Sequence, residues 1–414
     1  STTAPSARPK RERSAPGSAL FRGPVHQARQ RAHGDHERRE EGDTDEQGEE
    51  HIHERDPGAS EPPPYRAPPP APRRSDEVSA EARQIDEQGA PGAAAPIVEI
   101  RNLTKHFDIG GGQIVHACDD VSFTIGENEI LGLVGESGSG KSTLGKTLLG
   151  LHDKTSGEVV YRGEMLPQRY DTAAFGRYAT RMQMIFQDPY SSLNPRMTAG
   201  EIIGEGLRLH TRLSAAEIRE KVQHWLELVG LNPDHASRYP HEFSGGQRQR
   251  IGVARALILE PEFVVCDEPI SALDVSVQAQ VINLLAELKE RMGLTLLFIA
   301  HDLSMVRYVS DRMAVMYLGS LVEIGSADEV FFDPKHPYTQ MLVGSNPEPD
   351  PEFERTREHV ILKGEIPSPV NVGAGCRFAG RCPEVMDRCR TETPLLIDVG
   401  STQAPRRVAC HLFD

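Results

Sequence analysis

Two stretches of the chain, 214–230 and 276–293, repeat hydrophobic residues at the spacing of an amphipathic helix. The first has the sequence SAAEIREKVQHWLELVG, in which Ser214 and Glu217 have the arrangement of a capping box and Gly230 is a natural helix end. The second, SVQAQVINLLAELKERMG, also ends in glycine. The side chains predicted to face the core are Ile218, Val222, Trp225, Leu226 and Val229 in the first helix and Val277, Val281, Leu284, Leu285 and Leu288 in the second.

Short apolar runs alternate with helical stretches between about residues 97 and 335. Buried strands are indicated by EILGLVG (129–135), FVVCDEP (263–269) and LTLLFIA (294–300). This alternation predicts an α/β domain. No run reaches the roughly 18 apolar residues of a membrane-spanning helix, and no apolar signal-peptide core is visible. We therefore expect a chain in the reducing cytosol that neither is secreted nor spans a membrane.

The first 96 residues are poor in large apolar side chains and rich in Pro, Ala, Arg and Glu. Residues 1–34 carry seven Lys and Arg against one Glu, and residues 35–56 carry eleven Asp and Glu against three Arg. These charge blocks and the proline-rich EPPPYRAPPPAPRR (61–74) predict a disordered tail over 1–96. A transit peptide and electrostatic contact with membrane or nucleic acid are alternatives for the basic start. The net charge of −15 argues against general nucleic-acid binding by the whole chain.

Residues 135–142 have the sequence GESGSGKS, which matches the phosphate-binding loop pattern G-x-x-x-x-G-K-[ST] between a predicted strand and a predicted helix. In such a loop, backbone N–H groups and a helix N-terminus surround the phosphates, the lysine reaches the β- and γ-phosphates, and the serine holds Mg²⁺. A chance glycine-rich turn is the alternative. The residues predicted to bind ATP in this loop are Gly135, Glu136, Ser137, Gly138, Ser139, Gly140, Lys141, Ser142 and Thr143.

The apolar strand in FVVCDEP ends with two acidic residues, which packing alone does not explain. Because this motif follows a phosphate-binding loop in the sequence, Asp267 is predicted to hold Mg²⁺ through water together with Ser142. Glu268 is predicted to polarise the attacking water. The two motifs together predict hydrolysis of a nucleotide.

Residues 243–250 have the sequence FSGGQRQR, which resembles the signature motif of ATP-binding-cassette (ABC) proteins. Its Ser-Gly-Gly turn opens a helix and offers a second anion site. The resemblance implies that Ser244, Gly245, Gly246 and Gln247 act in trans, on the γ-phosphate held by a partner subunit. Phe243 stands where many ABC proteins have Leu, a departure expected to leave the anion site intact.

The remaining ABC motifs appear in order. Gln187 in MIFQDP resembles the glutamine that senses the γ-phosphate and Mg²⁺, and His301 in FIAHDL resembles the switch histidine. Phe107 resembles the aromatic residue that stacks on adenine, with a core phenylalanine as the alternative. The resemblance implies a mixed sheet core with a helical subdomain, and ATP hydrolysis by Glu268, His301 and Gln187. The loop implied to communicate between two nucleotide sites is Ser271, Ala272, Leu273 and Asp274.

Three further stretches resemble the ATP-binding subunits of oligopeptide and dipeptide importers, a group that includes nickel importers. They are DPYSSLNPRMTAGEII (188–203), HPYTQML (336–342) and GEIPSPVNVGAGCRFAGRCPEVMDRC (364–389). The resemblance covers 97–414 and implies an ATPase domain over 97–335 and a C-terminal extension over 336–414. The implied function is ATP-driven peptide import, with nickel import or a non-transport ABC ATPase as alternatives.

One phosphate loop and one signature cannot form a complete site in a single chain, so the resemblance implies a second cassette, either a copy or a sister subunit. It also implies two transmembrane permease subunits, an indirect extracytoplasmic solute-binding protein and a peripheral place on the cytoplasmic face of the inner membrane. Nucleic acid is not an expected partner. A non-transport ABC ATPase would usually carry two cassettes or a long coiled-coil insertion, and a metal- or redox-sensing protein would not need the catalytic residues.

Four of the six cysteines follow the spacing C-x₅-C-x₆-C-x₂₀-C, namely Cys376, Cys382, Cys389 and Cys410. In a reducing cytosol, gathered thiols indicate a metal site rather than disulfides. The spacing matches neither the common zinc pairs nor the common ferredoxin runs, so it leaves the metal open. The similar tail of the family implies a four-iron, four-sulfur cluster, with zinc or metal-free thiols as alternatives. A redox-sensing role is the weaker interpretation, because the ATP site is predicted in another domain.

Overall fold

A computed structural model describes residues 95–271, 273–345, 367–401 and 405–414 of the chain. The tail predicted over 1–96 therefore lies almost entirely outside the described residues, as does Ala272 of the predicted inter-site loop. The side chain of Pro189 is likewise not described.

The described residues alternate strands and helices, as the α/β prediction requires. The strands are β1 (Val98–Gly110), β2 (Gln113–Ile125), β3 (Ile130–Val134), β4 (Ser156–Tyr161), β5 (Glu164–Met165), β6 (Met182–Ile185), β7 (Phe263–Asp267), β8 (Thr295–Ile299), β9 (Arg312–Tyr317), β10 (Ser320–Ser326), β11 (Ile397–Asp398) and β12 (Arg407–Val408). The α-helices are α1 (Lys141–Leu148), α2 (Thr172–Tyr178), α3 (Pro189–Ser192), α4 (Ala199–His210), α5 (Ala215–Leu228), α6 (Gly245–Leu257), α7 (Val275–Met292), α8 (Leu303–Val309), α9 (Ala327–Phe332) and α10 (Pro337–Gly344). Short 3₁₀ helices cover Pro233–Ser237, Pro240–Glu242 and Asp387–Arg390.

The larger sheet has the strand order β11-β12-β10-β9-β3-β8-β7-β6. Strands β9, β3, β8, β7 and β6 are parallel, and β10, β12 and β11 continue the sheet in antiparallel register. Strands β3, β7 and β8 are buried along their whole length, as parallel strands covered on both faces must be. Because parallel strands end at the same edge of a sheet, the loops that follow β3, β6, β7 and β8 meet there.

Side chains along the central strands alternate between two hydrophobic cores. In β7, Val265 faces a core shared with α1 and the smaller antiparallel sheet, whose order is β2-β1-β4-β5. The neighbouring Val264 faces the other core, which includes helices α4 to α7. The sheet is thus held between a β-rich layer and a helical subdomain, the mixed arrangement expected from the sequence.

Both helices predicted from hydrophobic periodicity are confirmed. Helix α5 begins after Ser214 with the predicted capping box to Glu217, and its five predicted core residues are all buried. Helix α7 ends at Gly293 in the left-handed conformation, with φ of +65°. The side chains predicted to face the core from α7 do so, because Val281, Leu285 and Leu288 are buried and the half-buried Val277 and Leu284 pack against the core.

The C-terminal extension continues the larger sheet. Strand β12 pairs with β10, and the buried side chain of Arg406 donates from Nε to Glu323 Oε1 at 3.1 Å. Nearer the middle of the extension, the Asn371 N–H donates to the carbonyl oxygen of Ile114 in β2 at 2.8 Å. A buried charge needs a partner to be tolerated, so the Arg406–Glu323 pair fixes this junction.

His336 lies at the N-terminal end of α10 and is buried. Its Nδ1 accepts the Tyr338 N–H at 3.0 Å, and burial lowers the pKa of the imidazole from 6.5 to about 4. The unfolded chain therefore binds a proton between these two pH values that the folded chain does not, and stability rises with pH across this window.

We accordingly expect the free energy of unfolding to fall as the pH is lowered from about 6.5 towards 4, and His336→Gln to flatten this dependence. Urea unfolding at several pH values measures it. His210→Gln, at the exposed end of α4, is the matched control and should keep the wild-type slope. An unchanged slope in His336→Gln would contradict the expectation.

Candidate functional site

Glycines shape the loop between β3 and α1. Gly135, Gly138 and Gly140 have φ of +150°, +78° and +100°, which side chains disfavour. A Cβ at Gly135 would lie 2.2 Å from the carbonyl oxygen of Met316, and one at Gly140 would lie 2.0 Å from that of Ala117. The loop therefore rests directly on β9 and β2, and only glycine fits at these two positions.

Lys141, the first residue of α1, places its ammonium group inside this loop. Its Nζ donates to the carbonyl oxygens of Gly135 at 2.7 Å and Glu136 at 3.0 Å. Burial lowers the pKa of Lys141, while the nearby carboxylates of Glu268 and Asp267 oppose that shift. A buried cation beside a helix N-terminus makes the loop an anion site.

Ser142 and Asp267 bring two oxygen ligands together from different elements. The Ser142 hydroxyl donates to Asp267 Oδ1 at 2.6 Å, and Lys146 Nζ lies 3.8 Å from Oδ2. Burial raises the pKa of Asp267, with the hydrogen bond from Ser142 and the charge of Lys146 acting in the opposite direction. Hydroxyl and carboxylate oxygens suit Mg²⁺.

The three predicted catalytic side chains meet at one carboxylate. Gln187 Nε2 donates to Glu268 Oε2 at 2.8 Å, and His301 Nδ1 lies 3.7 Å from the same oxygen. Gln187 follows β6, Glu268 follows β7 and His301 follows β8, so adjacent parallel strands deliver all three. The His301 side chain is 63% exposed and faces solvent beside this group.

Phe107 lies on β1, half-buried and outside both hydrophobic cores. Its ring has Lys105 Nζ at 4.5 Å and the His152 ring edge-on at 5.4 Å. This exposure disfavours the alternative of a core phenylalanine. The pocket over the phosphate loop is lined by Phe107, Val115, Ala117, Ser137, Gly138, Ser139, Gly140, Lys141, Ser142, Thr143, Gln187, Glu268 and Pro369.

The predicted signature residues lie at the start of α6 and do not line that pocket. Ser244 caps the helix, with its Oγ accepting the Gln247 N–H at 3.3 Å and its own N–H donating to Gln247 Oε1 at 3.0 Å. Ser244 and Gly245 are exposed, and Gly246 and Gln247 are half-buried. Phe243 is buried in the core next to them. The helix N-terminus is open to a group from outside the chain.

The predicted inter-site loop precedes α7 in the chain and contacts both Glu268 and the start of α6. The Ser271 hydroxyl donates to the Glu268 carbonyl oxygen at 3.2 Å. Leu273 packs beside Gly245, where an added Cβ would lie 3.7 Å from its side chain, and Asp274 precedes α7. A shift of this loop would therefore reach both the predicted base and the signature.

The C-terminal extension reaches the phosphate loop, which sequence reasoning did not predict. Arg381 donates from both terminal nitrogens to the carboxylate of Glu136, at 2.8 and 3.0 Å, and the Glu136 N–H donates to the Tyr338 hydroxyl at 2.9 Å. Pro369 joins the pocket lining from the same extension. The only sequence signal was an arginine beside a cysteine, which does not reveal a partner 245 residues away.

The four clustered cysteines line one enclosed pocket, and all are free thiols. Burial raises the pKa of Cys376 and Cys410, and that of Cys382 to about 11. The four side chains therefore converge on one pocket.

Among the described residues, His106, His116 and Asp119 bring three ligand atoms within 4.8 Å of one another. Arg377 of the C-terminal extension also contacts the Asp119 carboxylate. Burial disfavours ionisation of Asp119, but hydrogen bonds from His106 and Arg377 outweigh it and lower its pKa. The fixed charge of Arg377 already balances this carboxylate, so the cluster is an ion-pair junction between the extension and β2.

Two sequence families match the chain. Residues 118–271 match the family described as ABC transporter, and residues 322–389 match the C-terminal region of oligopeptide/dipeptide transporters. The first match contains the phosphate loop, the signature and the acidic strand end. The second contains Arg381 and three of the clustered cysteines.

Similar proteins span most of the described chain. A putative oligopeptide transport ATP-binding protein of Bacillus subtilis, YkfD, is 55% identical over 77% of this chain and 96% of its own length. The oligopeptide transport ATP-binding protein OppF of Salmonella typhimurium is 50% identical over 72% of this chain and 92% of its own length. The solved structure of the cassette MJ0796, a dimer bound to ADP and Pi, superposes with a TM-score of 0.52 at 29% identity, covering 56% of this chain and 98% of that one.

A phosphate loop, an acidic strand end and a signature helix on this sheet define an ATP-binding-cassette ATPase. The chain belongs to the family of ABC ATP-binding subunits of oligopeptide and dipeptide transporters. Among the helices of the described residues, none combines the length and apolar character needed to cross a membrane.

The close approach of Gly140 to β2 leads to a test of the loop. Gly140→Ala should weaken binding of an ATP analogue at least about tenfold, because the Cβ strains φ and meets the carbonyl oxygen of Ala117. Equilibrium titration measures the affinity. Gly252→Ala, inside α6 with no atom within 4 Å of the added Cβ, is the control and should bind normally. Equal affinities in the two variants would contradict this account of the loop.

Proposed function

We propose that this chain is the ATP-hydrolysing subunit of an importer for dipeptides and oligopeptides. The observation that carries the proposal is the joining of a nucleotide site to the oligopeptide-transporter region, with Pro369 and Arg381 of that region at the phosphate loop. The relatives from Bacillus subtilis and Salmonella typhimurium are named for oligopeptide transport, which supports peptides as the cargo.

In this proposal ATP lies over residues 135–143, with Phe107 against the adenine and Lys141 at the β- and γ-phosphates. Mg²⁺ would be held by Ser142 and Gln187 and, through water, by Asp267, and it would neutralise charge on the phosphates. Glu268 acts as the base for the attacking water, and the hydrogen bond from Gln187 supports its orientation. His301 contacts the γ-phosphate and that water.

The exposed signature residues act on a second cassette. Ser244 and Gly245 lie outside the pocket of their own chain, which supports a head-to-tail pair in which each phosphate loop faces the signature of the other subunit. Ser271, Leu273 and Asp274, with Ala272, carry the signal between the two sites. Two permease subunits receive the motion, an extracytoplasmic solute-binding protein acts indirectly, and the chain is peripheral on the cytoplasmic face of the inner membrane.

The thiol pocket is proposed to hold a four-iron, four-sulfur cluster rather than zinc. The four cysteine thiols that line one pocket support this proposal, because four thiolates are the usual ligand set of such a cluster. Cys376, Cys382, Cys389 and Cys410 would hold it, and its binding would replace the protons that burial favours. Its contribution would be to staple the extension.

Uptake tests the proposed function. A strain lacking this gene should lose uptake of labelled dipeptides and oligopeptides, and the wild-type gene should restore it. Loss of nickel uptake with intact peptide uptake would favour nickel import instead. Intact uptake of both solutes would favour a non-transport ATPase and refute the proposal.

Glu268→Gln should bind ATP normally but hydrolyse it about 10²–10⁴-fold more slowly, because the base is lost while the shape of the site is kept. The closed, ATP-bound dimer should accumulate, and complementation of uptake should fail. Steady-state phosphate release measures the rate. Near-normal hydrolysis would show that Glu268 is not the base.

Mixing two inactive variants tests the action of the signature in trans. Ser244→Arg blocks the exposed helix N-terminus, and Lys141→Ala removes the cation of the phosphate loop. If the chain pairs with itself, mixed dimers regain one complete site and ATPase activity returns. Absence of recovery would show that the chain pairs with a sister cassette.

Anaerobic purification followed by iron, acid-labile sulfide and zinc analysis tests the thiol pocket. We expect iron and sulfide in equal amounts, lost in Cys382→Ser. Stoichiometric zinc would favour the alternative ion. If the protein is colourless and lacks iron and sulfide even after reconstitution, and if Cys382→Ser does not change its metal content or stability, the result would favour metal-free thiols.

A further inference from the structure

Two arginines lie between the first two clustered cysteines. Arg377 directly follows Cys376, and Arg381 directly precedes Cys382. Both side chains leave the thiol pocket and enter the ATPase domain, where the side chain of Arg381 is only 4% exposed. The seven-residue segment 376–382 therefore places its two terminal cysteines in the thiol pocket and its two arginines at the nucleotide site.

Arg381 holds Glu136 in a two-pronged ion pair. Its two terminal nitrogens donate to the two carboxylate oxygens at 2.8 and 3.0 Å, and one also donates to the Tyr317 hydroxyl at 3.2 Å. The planar fork of an arginine fixes a carboxylate in direction as well as distance. A pair this deeply buried costs free energy when one partner is removed, because the other charge stays buried.

Glu136 is the second residue of the phosphate loop, and its backbone holds the loop together. Its carbonyl oxygen accepts from Lys141 Nζ at 3.0 Å and from the Ser139 N–H at 3.1 Å, while its own N–H donates to the Tyr338 hydroxyl. A shift of the Glu136 backbone together with its ion-paired side chain would therefore move an oxygen that positions the Lys141 ammonium group.

Arg377 contacts the other side of the phosphate loop indirectly. It donates to the carbonyl oxygen of Leu318 and to the Asp119 carboxylate. Gly319, which follows Leu318 in the chain, donates its N–H to the Ser139 carbonyl oxygen of the loop at 2.9 Å. The two arginines thus reach the phosphate loop by separate routes.

The backbone of the cysteine residues positions the backbone from which these arginine side chains extend. The Cys376 N–H donates to the Cys389 carbonyl oxygen at 2.7 Å, the Ala379 N–H to Cys376 at 3.0 Å, and the Arg381 N–H to Phe378 at 2.9 Å. These bonds make 376–381 a tight turn built on the cysteine backbone. Rearrangement of the thiol pocket would carry Arg381 with it.

We propose that Arg381 is a positioning residue that couples the order of the thiol pocket to nucleotide binding through Glu136. The coupling rests on the proposed function of the nucleotide site and adds a mode of regulation to it. Because coupling between two sites is reciprocal, a bound nucleotide must stabilise the ordered thiol pocket by the same factor by which that order strengthens nucleotide binding.

The test measures two quantities on the full-length protein, as purified and again after metal chelation. One is the Kd of a non-hydrolysable ATP analogue with Mg²⁺, and the other is the alkylation rate of each cysteine by iodoacetamide, read by mass spectrometry. In the wild type, the analogue should slow alkylation of Cys382 by on the order of fivefold. A structural arginine without coupling would not produce this protection.

Variants assign the coupling to the ion pair. Arg381→Ala should raise the Kd about tenfold and abolish protection of Cys382, and Arg381→Lys, which keeps the charge without the fork, should fall between. Glu136→Ala should do the same as Arg381→Ala, and the double variant should add nothing further. Arg388→Ala is the matched control: Arg388 also precedes a cysteine but faces Glu392 at 3.5 Å and Asp414 at 3.0 Å, so both quantities should stay at wild-type values.

The outcomes separate this proposal from the function on which it rests. A wild-type protein that does not bind the analogue would refute the proposed function itself. Wild-type binding with an unchanged Kd in Arg381→Ala, or with no protection of Cys382, would overturn the coupling alone. If Arg381→Ala does not fold, Glu136→Gln, which removes the charge but keeps the size of the side chain, should also lose the protection of Cys382, and wild-type protection in that variant would overturn the coupling.

Discussion

The ammonium group of Lys141 donates to two backbone carbonyl oxygens of the phosphate loop, and the geometry of the whole nucleotide site depends on this interaction. The cation is buried, which lowers its pKa, and it is retained there by two carbonyl oxygens and by the field of Asp267 and Glu268. The glycines can adopt positive φ, and the close seat of the loop on β2 and β9 leaves no room for side chains. These contacts within the chain hold the loop in its curved form.

The parallel sheet supplies the rest of the chemistry at the same edge. Strands β6, β7 and β8 are neighbours and end together, so Gln187, Glu268 and His301 meet although they are distant in the sequence. The signature helix begins elsewhere, with an exposed N-terminus that does not line the pocket. This separation is the physical basis for proposing a second cassette. The phosphate loop of one chain needs a signature helix from another chain, and its own signature helix is free to serve that other chain.

The C-terminal extension is more closely joined to the ATPase core than its composition indicated. Strand β12 extends the larger sheet, Arg406 pairs with the buried Glu323, and Arg381 holds the phosphate loop. The sequence favours a redox role less, because it places the ATP site and the cysteines in different domains. The contact between Arg381 and Glu136 removes that reason.

The sequence by itself determined the features that depend on neighbouring residues. Periodicity and capping predicted α5 and α7, the glycine-lysine pattern predicted the phosphate loop, and a run of apolar residues ending in acids predicted β7 and its two carboxylates. The tertiary structure alone decided which residues meet: Gln187 with Glu268 across 81 residues, and Arg381 with Glu136 across 245. Such pairs depend on strand order and on how the C-terminal turn packs, and a local pattern carries no record of either, because the free energy that selects the partner comes from burial of both groups together.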